Sequence, residues 1–264
     1  MHSGSQAAVH SAQKAIVMVS AFSRQKGLVL AQEKVSKKSN EITAVPKLLK
    51  ALRLSGAIVS LDAMGCQKKI ANQIVEQNAD YLIALKNNQS GLYQRVEELF
   101  QLVLFQDKID LELSSYTVFK SSHGRTEARY YHVLNNVSEI VDKEQKWSNL
   151  NSIVLVDYLR KSKKGKAKQE YKYYITSLSK NAQELAEYIR GHWCIENQLH
   201  WVLDVTFGED DSRIRKDNAP ENLAVIRHIA LNLLKLDRSS SSSIKGKRNK
   251  AAWDDNYRLQ LVKN

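Results

Sequence analysis

The chain has 264 residues, a net charge of +12 at pH 7 and an isoelectric point of about 9.5. A basic excess of this size favours a polyanionic partner, usually a nucleic acid, over the alternative of a merely basic protein. Two cysteines are too few for a disulfide framework or a cysteine-based zinc site, and no apolar run approaches the ~18 residues of a membrane span. Since no signal peptide is visible, we expect a soluble cytoplasmic protein without a membrane partner.

The first half of the chain alternates between predicted strands and helices. After a small, polar start over residues 1–13, which we predict to be disordered, two apolar stretches joined by a glycine turn indicate a β-hairpin. The predicted strands cover residues 14–23, 28–35, 57–61 and 81–85, and the predicted helices cover residues 41–54, 67–78 and 90–105. This alternation predicts an α/β layer in which Asp62 follows the end of the third strand.

The second half begins with a β-rich region. Residues 115–134 and 152–178 have the composition and alternation of antiparallel strands, and a lysine run between Arg160 and Lys172, within the second stretch, predicts an exposed hairpin tip. Residues 181–207 and 219–236 predict two helices, followed by a serine tract and a basic stretch that predict a flexible link before a short helix at 253–262. We therefore predict a disordered start (1–13), a first α/β part (14–110), a β-rich insertion (111–178), a last α/β part (179–237) and a basic flexible tail (238–264).

Glu196 is the most informative single residue, because it is the only acid between Glu187 and Asp204. On a helix it shares a face with His192 and His200, and with apolar residues that continue the same stripe. A carboxylate on an apolar face is costly to bury unless it is paired or bound to a metal. The alternative is a half-exposed glutamate with an ordinary hydrogen-bond partner, and spacing alone leaves both interpretations open.

Longer motifs place this helix in a family context. The block from Arg190 to Val205, with the GEDDSRIR turn after it, is similar to one group of proteins, as is the run from Asn218 to Arg227. The group is the bacterial insertion-sequence transposases of the H-repeat-associated (ISAs) type, a branch of the DDE transposases. The resembling blocks are 38–44, 62–67, 84–89, 123–125, 190–205 and 218–227. They occur in family order over nearly the whole chain, which is far more specific than any one motif.

The resemblance implies a ribonuclease-H-like α/β catalytic domain interrupted by an antiparallel β insertion. In such a site, acids from separate elements hold two Mg²⁺ ions for phosphoryl transfer. The resemblance assigns the catalytic and metal-ligand roles to Asp62 and Glu196, whereas a helix cap or turn residue is the alternative for Asp62 taken alone. The implied partners are the DNA of the element ends and of the target, with a homodimer as a further option.

Two features depart from the family pattern. The family places its first catalytic Asp in an Asp-Gly-Lys motif at the end of the first, central strand, but no Asp precedes Asp62 here. We therefore expect a chain that starts one strand late, lacks that central strand and cleaves DNA poorly. The wider clan signature Tyr-x2-Arg-x3-Glu-x6-Lys is also replaced, by Ile189, His192, Glu196 and Leu203, so its Tyr, Arg and Lys roles are not carried over.

Further candidate DNA contacts surround the two acids in the predicted fold. They are Lys86, Asn88 and Gln89 after the fourth strand, Arg125 in a predicted turn, Lys161, Lys163, Lys164 and Lys166 in the hairpin tip, and Arg190 and His192 beside Glu196. Such contacts with the DNA backbone position the duplex but carry no sequence information. The alternatives are ordinary turn chemistry for residues 86–89 and a solvated loop for the lysines. Trp193 and Trp201 are expected in the core rather than stacked on bases.

Three functions are consistent with these observations. The first is a transposase that cuts and joins DNA strands at the ends of an insertion sequence. The second is a catalytically inactive DNA-binding remnant of such an enzyme, which an in-frame Asp-Gly-Lys upstream of Met1 would argue against. The third is a metal-dependent nuclease, which would give no strand-transfer products.

Overall fold

The computed structural model describes residues 16–36, 40–105, 111–122, 125–162 and 167–263. Within these ranges the chain forms a mixed α/β structure of eight strands and nine helices. The strands are β1 (Met18–Ser23), β2 (Leu28–Lys34), β3 (Ile58–Leu61), β4 (Asp80–Leu85), β5 (Leu113–Ser122), β6 (Arg125–Leu134), β7 (Ser152–Ser162) and β8 (Ala167–Thr176). The helices are α1 (Glu41–Lys50), α2 (Lys68–Glu76), α3 (Ser90–Phe105), α4 (Ser138–Val141), α5 (Ala182–His192), α6 (Trp201–Phe207), α7 (Ala219–Leu236), α8 (Ile244–Trp253) and α9 (Asp255–Lys263).

The predicted elements of the first half occur in the predicted order. Their ends differ from the sequence prediction by a few residues, and the predicted disordered start over residues 1–13 lies outside the described residues. Three short irregular segments lie between the strands and helices of the described ranges. Ala63–Gly65 and Asn87–Gln89 are single 3-10 turns, and Glu196–His200 is π-helical.

A six-stranded sheet organises the molecule in the order β3-β4-β8-β7-β6-β5. β3 and β4 are parallel, and every other neighbouring pair in this sheet is antiparallel. β4 pairs with β8 from Leu82 opposite Thr176 to Leu85 opposite Tyr173. The strands of the predicted insertion therefore continue the sheet of β3 and β4.

Helices cover both faces of this sheet. Successive residues of β4 point to opposite faces, so Ile83 packs with Ile70 of α2 and Phe100 of α3, whereas Leu82 packs with Leu185 of α5. A sheet that is apolar on both faces needs a helical layer on each side. This arrangement explains why β4 is almost continuously apolar.

The β1–β2 hairpin forms a second, separate sheet. Asn232 of α7 covers its β2 edge, because its Oδ1 accepts from Val29 N at 3.0 Å and its Nδ2 donates to Val29 O at 2.8 Å. Among the described residues, β1 and β3 each have one edge without a strand partner. A central strand between them stays a prediction.

The antiparallel part of the large sheet projects beyond β4. β8 pairs with β4 only over Tyr173–Thr176, so its first six residues extend about 20 Å past Leu85 at the usual rise per residue. β7, β6 and β5 accompany it by continuous pairing. We call this projection the β arm; it consists of residues 116–121, 126–131, 156–161 and 167–172.

The C-terminal region differs from the predicted flexible tail. α8 occupies the predicted flexible link, whereas α9 agrees with the short helix predicted over residues 253–262 and packs Tyr257 and Leu261 against Leu234 of α7. Lys247, from the basic stretch, is only 7% exposed and lies 3.2 Å from the carboxylate of Asp237. Composition predicted a solvated basic stretch because it does not show that one lysine has a buried carboxylate partner. Of the helices in the described ranges, none is long and apolar enough to cross a membrane.

Candidate active site

Asp62 lies where β3 ends, as the sequence predicted. Its Oδ1 accepts hydrogen bonds from Met64 N at 3.1 Å and Gly65 N at 3.3 Å, which caps the 3-10 turn. Asp62 is thus a helix cap through Oδ1, as the alternative interpretation predicted. Within the described part of the chain Oδ2 has no protein partner, and the residue is exposed. Asp62 can therefore serve as a cap and still offer one oxygen to a ligand.

The single helix predicted over residues 181–207 is broken in the structure. α5 ends at His192, Trp193 lies in a turn, and the π-helical segment begins at Glu196. Single π-helical turns inside helices are rare and occur often at functional sites. Glu196 is therefore the first residue of an irregular segment and not part of a straight helix.

Packing on two different surfaces accounts for this break. α5 buries Leu185 and Ile189 against the large sheet, whereas Leu199 after the break is buried against Val29 of the hairpin and Leu231 of α7. A straight helix presents one stripe to one surface, so a widened turn is needed to reach both. The consequence is that the Glu196 side chain is exposed and has no hydrogen bond or ion pair with any described residue.

His192 links the end of α5 to β3, the strand that precedes Asp62. Its Nδ1 lies 3.0 Å from Ser60 Oγ on β3, which ties the end of α5 to the strand that carries Asp62. Burial lowers the pKa of His192, while the nearby carboxylates of Asp62 and Glu196 act on the same imidazole in the opposite direction. The two carboxylates, from separate elements, thus both act electrostatically on His192, and the net lowering of its pKa leaves the ring largely neutral at pH 7.

A cleft of about 400 Å³ opens beside Asp62. Its walls come from the loop after β4, the root of the β arm and the end of α5, with Lys86, Glu170, Tyr171 and Trp193 among the lining residues. Lys86 and Tyr171 are exposed. The cleft thus combines a carboxylate, cations and aromatic faces at the carboxyl ends of β3 and β4, where open α/β sheets bind ligands.

Trp193 and Trp201 are not core residues, in contrast to the sequence prediction. They are 50% and 58% exposed, respectively. The Lys172 ammonium lies 5.3 Å from the ring centroid of Trp193. The break in the helix turns this indole out of the apolar stripe and toward the cleft.

Asn88 and Gln89 brace the loop that carries Asp62. Asn88 Nδ2 donates to Ala63 O at 2.6 Å, and Gln89 Nε2 donates to Cys66 O at 2.8 Å. Both amides thereby join the loop after β4 to the loop after β3. The alternative interpretation, in which these residues stabilise the turns, agrees with both hydrogen bonds.

The remaining predicted DNA contacts lie toward the same end of the sheet. Arg125 is the first residue of β6 and pairs with Ser162 of β7, so the described ends of the two hairpins are neighbours. Lys161 is exposed near that end, and Arg190 is exposed on α5. Lys163, Lys164 and Lys166 lie outside the described residues. Because β4 and β8 are antiparallel, these tips and Asp62 share one end of the sheet.

The donors for a metal ion can be compared with what Mg²⁺ requires. Mg²⁺ prefers hard oxygen ligands and retains several waters, and two exposed carboxylates that each keep at least one oxygen without a protein partner suit it. Within the described ranges, however, no group of three or more histidine, cysteine, aspartate or glutamate side chains is arranged to hold a metal ion. Asp62 and Glu196 thus fit a Mg²⁺ site as two of its ligands and do not complete one.

The sequence did not indicate that Ser60 and Lys172 contribute to the site. Ser60 lies two residues before Asp62, so the period of two along a strand could have placed it on the same face. No local signal marks Lys172, because its contact with Trp193 joins a strand to a distant helix.

Similarity to known proteins decides the class to which this chain belongs. A model of the transposase DDE domain matches residues 2–233. The chain belongs to the DDE transposase family. Members of this family are polynucleotidyl transferases and generally use divalent metal ions.

Relatives of this DDE transposase are found in Escherichia coli. YncI of strain O157:H7, named as a transposase, is 43% identical over 245 residues, which are 92% of this chain and 62% of YncI. YhhI of strain K12, named as an H repeat-associated transposase, is 42% identical over 251 residues, which are 94% of this chain and 66% of YhhI. The chain thus spans about two thirds of the length of these relatives.

A solved transposase has a distant likeness to this DDE transposase. The cryo-EM structure of the piggyBac transposase synaptic complex with hairpin DNA aligns with a TM-score of 0.48 at 11% identity. The alignment covers 94% of this chain and 48% of the piggyBac chain. A likeness at this level bears on neither activity nor partners.

Proposed function

We propose that this chain acts as an insertion-sequence transposase that cuts DNA strands at element ends and joins them to a target. Asp62 and Glu196 are its Mg²⁺ ligands in this proposal. The observation that carries it is a pair of exposed carboxylates on elements that the contact between His192 and Ser60 joins, Asp62 at the end of β3 and Glu196 just after α5. When bound, two divalent ions activate the attacking oxygen and stabilise the leaving oxygen of a phosphoryl transfer.

The other residues of the cleft would bind and orient the DNA. Lys86 lies beside Asp62 and would contact a phosphate of the scissile strand. In the tautomer whose Nδ1 accepts a hydrogen bond from the Ser60 hydroxyl, neutral His192 would donate one to the DNA from Nε2. The exposed ring of Trp193 offers a stacking surface for a base next to the cleavage point.

The β arm would serve as the track for the DNA backbone. It projects about 20 Å from the cleft, and exposed cations such as Lys161 and Lys168 lie on its last residues. Phosphate contacts along this arm, together with Arg125 and Arg190, would position the duplex without reading its sequence. The net charge of +12 supports this assignment.

A ribonuclease-H-like sheet would add one strand to the described ones. In the proposal this strand lies between the hairpin and β3 and supplies a third carboxylate. The unpaired edges of β1 and β3 among the described residues support its place.

A second candidate function is DNA binding without strand cleavage. The absence of a three-ligand metal cluster within the described ranges favours it. A test that separates the candidates mixes the chain with DNA that carries its own gene and flanks, in Mg²⁺ or in EDTA. Mg²⁺-dependent nicks with strand-transfer products support the transposase, nicks without transfer indicate a nuclease, and binding without nicks supports the second candidate.

The β arm can be tested separately through the salt dependence of DNA binding. Neutralising the four lysines that the sequence predicts at the tip of the β7–β8 hairpin should weaken binding to any sequence and flatten the salt slope by up to about 4 units, since each phosphate that is no longer bound lowers the slope by about 1. The lysines to be changed are Lys161, Lys163, Lys164 and Lys166. The control neutralises four exposed lysines outside the arm, Lys50, Lys69, Lys143 and Lys245. An equal change in both sets would mean that the arm is not the track.

A further inference from the structure

The break in the helix near Glu196 is bridged by the turn of the β1–β2 hairpin. On one side of the break, Arg24 Nη1 donates a hydrogen bond to Glu187 O of α5 at 3.1 Å. On the other side, a Cβ placed on Gly27 would lie 3.9 Å from Gln198 Oε1 in the π-helical segment. The turn formed by residues 24–27 therefore contacts the first half of the broken helix and lies close to the second.

Lys235 of α7 completes this bridge. Its Nζ donates to Gly27 O at 2.7 Å and to Gln198 O at 2.9 Å, and it lies 4.7 Å from the centroid of the Phe22 ring. One ammonium thus binds a carbonyl of the turn, a carbonyl inside the π-helical segment and an aromatic face. The segment that begins with Glu196 is held from outside the helix.

A lysine is a costly residue for this position. Lys235 is partly buried, and that burial lowers its pKa. In the part of the chain that the structure describes, no carboxylate lies within ion-pair distance of it. An apolar side chain would avoid the desolvation of an unpaired charge. Such a local cost is expected where a residue serves a functional geometry.

We propose that Lys235 is a positioning residue, which holds the π-helical segment in the conformation that presents Glu196 to Asp62. The role of Glu196 in this statement rests on the proposed function, whereas the contacts of Lys235 do not. Each residue of a regular helix turns the chain by roughly 100°. Relaxation of the widened turn to a regular helix would therefore reorient the π-helical segment relative to α5.

The deciding experiment is amide hydrogen exchange over residues 196–200 in the full chain. Lys235→Met keeps the apolar stem but loses the ammonium, and it should exchange at least about tenfold faster there, since an opening that costs about 1.4 kcal/mol less is tenfold more frequent. Lys235→Arg, which keeps the charge and its donors, should restore part of the protection. Lys245→Met removes the same charge from an exposed site and should change nothing. Unchanged exchange in Lys235→Met overturns the proposal.

A neutral donor variant replaces the methionine variant if the latter does not fold. Lys235→Gln still has an N–H donor but is too short to bind both carbonyls, so the same rise in exchange is expected. Unchanged exchange in this variant overturns the proposal equally.

A Mn²⁺ titration followed by electron paramagnetic resonance connects the segment to the acids. Glu196→Gln should remove the site, and Lys235→Met should weaken it about fivefold to tenfold, since a misplaced ligand binds less well. If Glu196→Gln leaves Mn²⁺ binding unchanged, the proposed metal role fails while hydrogen exchange still decides the role of Lys235. If only Glu196→Gln weakens binding, Lys235 does not position Glu196 and the inference is overturned.

Discussion

The buried acid Asp237 and the exposed acids Asp62 and Glu196 differ in burial and in hydrogen bonding. Asp237 is buried, and its carboxylate accepts hydrogen bonds from Ser239 and from Tyr257 Oη at 2.8 Å and lies 3.2 Å from Lys247 Nζ. Burial by itself raises the pKa of Asp237, but these hydrogen bonds outweigh it and hold the pKa well below its usual range. Asp62 and Glu196, in contrast, are exposed, and Glu196 has no protein partner among the described residues.

The difference indicates what each group is for. A carboxylate whose hydrogen bonds are all made within the protein stabilises the fold and has no free oxygen for a ligand. A carboxylate held at a strand end or an irregular helical turn without a partner adds little stability and remains available. Substitutions should therefore affect stability at Asp237 and ligand binding at Asp62 and Glu196.

The largest expected effect is on the chemistry of the exposed pair. Glu196→Gln should lower Mg²⁺-dependent strand cleavage at least about a hundredfold, because the loss of a ligand misplaces the reacting groups. Its melting temperature should stay within about 2 °C of the parent, since the residue is exposed and unpaired. Glu187→Gln, an exposed change on α5, is the matched control and should leave cleavage unchanged.

Asp237→Asn should have the reverse profile. It leaves the buried Lys247 ammonium without its carboxylate, so the free energy of unfolding should fall by about 3 kcal/mol. Asp255→Asn removes an exposed ion pair with Arg258 and should cost less than about 1 kcal/mol. Urea denaturation of both variants checks this, and equal decreases would contradict the assignment of Asp237 as the structural acid.

The free energy of unfolding should also depend on pH through His228, at the contact of α7 with β2. Burial lowers the pKa of His228 to about 4, and its Nδ1 is hydrogen-bonded to Gln32. The unfolded chain, with a histidine pKa of about 6.5, binds more protons between these values. Stability should therefore be complete above pH ~6.5 and decline toward pH ~4, by up to about 3 kcal/mol.

His228→Asn tests this dependence. The variant should have a flatter profile of unfolding free energy between pH 4 and pH 6.5 in urea denaturation. The slope should not vanish, because burial also lowers the pKa values of His132 and His192. A profile as steep as that of the parent chain would exclude His228 as a major cause.

The smallest expected effect concerns the contact between Ser60 and His192. Ser60→Ala should lower the free energy of unfolding by about 1 kcal/mol, because the variant cannot form this hydrogen bond. It should also weaken Mn²⁺ binding a few-fold, because the end of α5 is no longer tied to β3. Ser115→Ala removes a similar contact with His132 at the root of the β arm, at 2.9 Å, and should affect stability alone. A similar decrease of Mn²⁺ affinity in both variants would show that the contact between Ser60 and His192 has no specific effect on the metal site.

Local sequence patterns determined the order of elements, the position of Asp62 and the family. The apolar run of β3 ends at Asp62, and alternating apolar and polar stretches predict strands and helices from neighbouring residues alone. The ordered blocks from residue 38 to residue 227 predicted the DDE transposase family, which the match over residues 2–233 confirms. Such features are local in the chain, so they are readable without a fold.

Only the tertiary structure decided how the Glu196 region is shaped. Residues 181–207 have the spacing of apolar side chains that predicts one continuous helix. The two halves of that helix nevertheless pack on different surfaces, and the regular helix is interrupted between them. This break exposes Glu196 and turns Trp193 toward the cleft. Likewise, Asp237 and Lys247 come from separate elements, and composition therefore predicted a flexible link where α8 docks. In each case the determining contact joins different elements of the fold, and tertiary packing outweighs local preference.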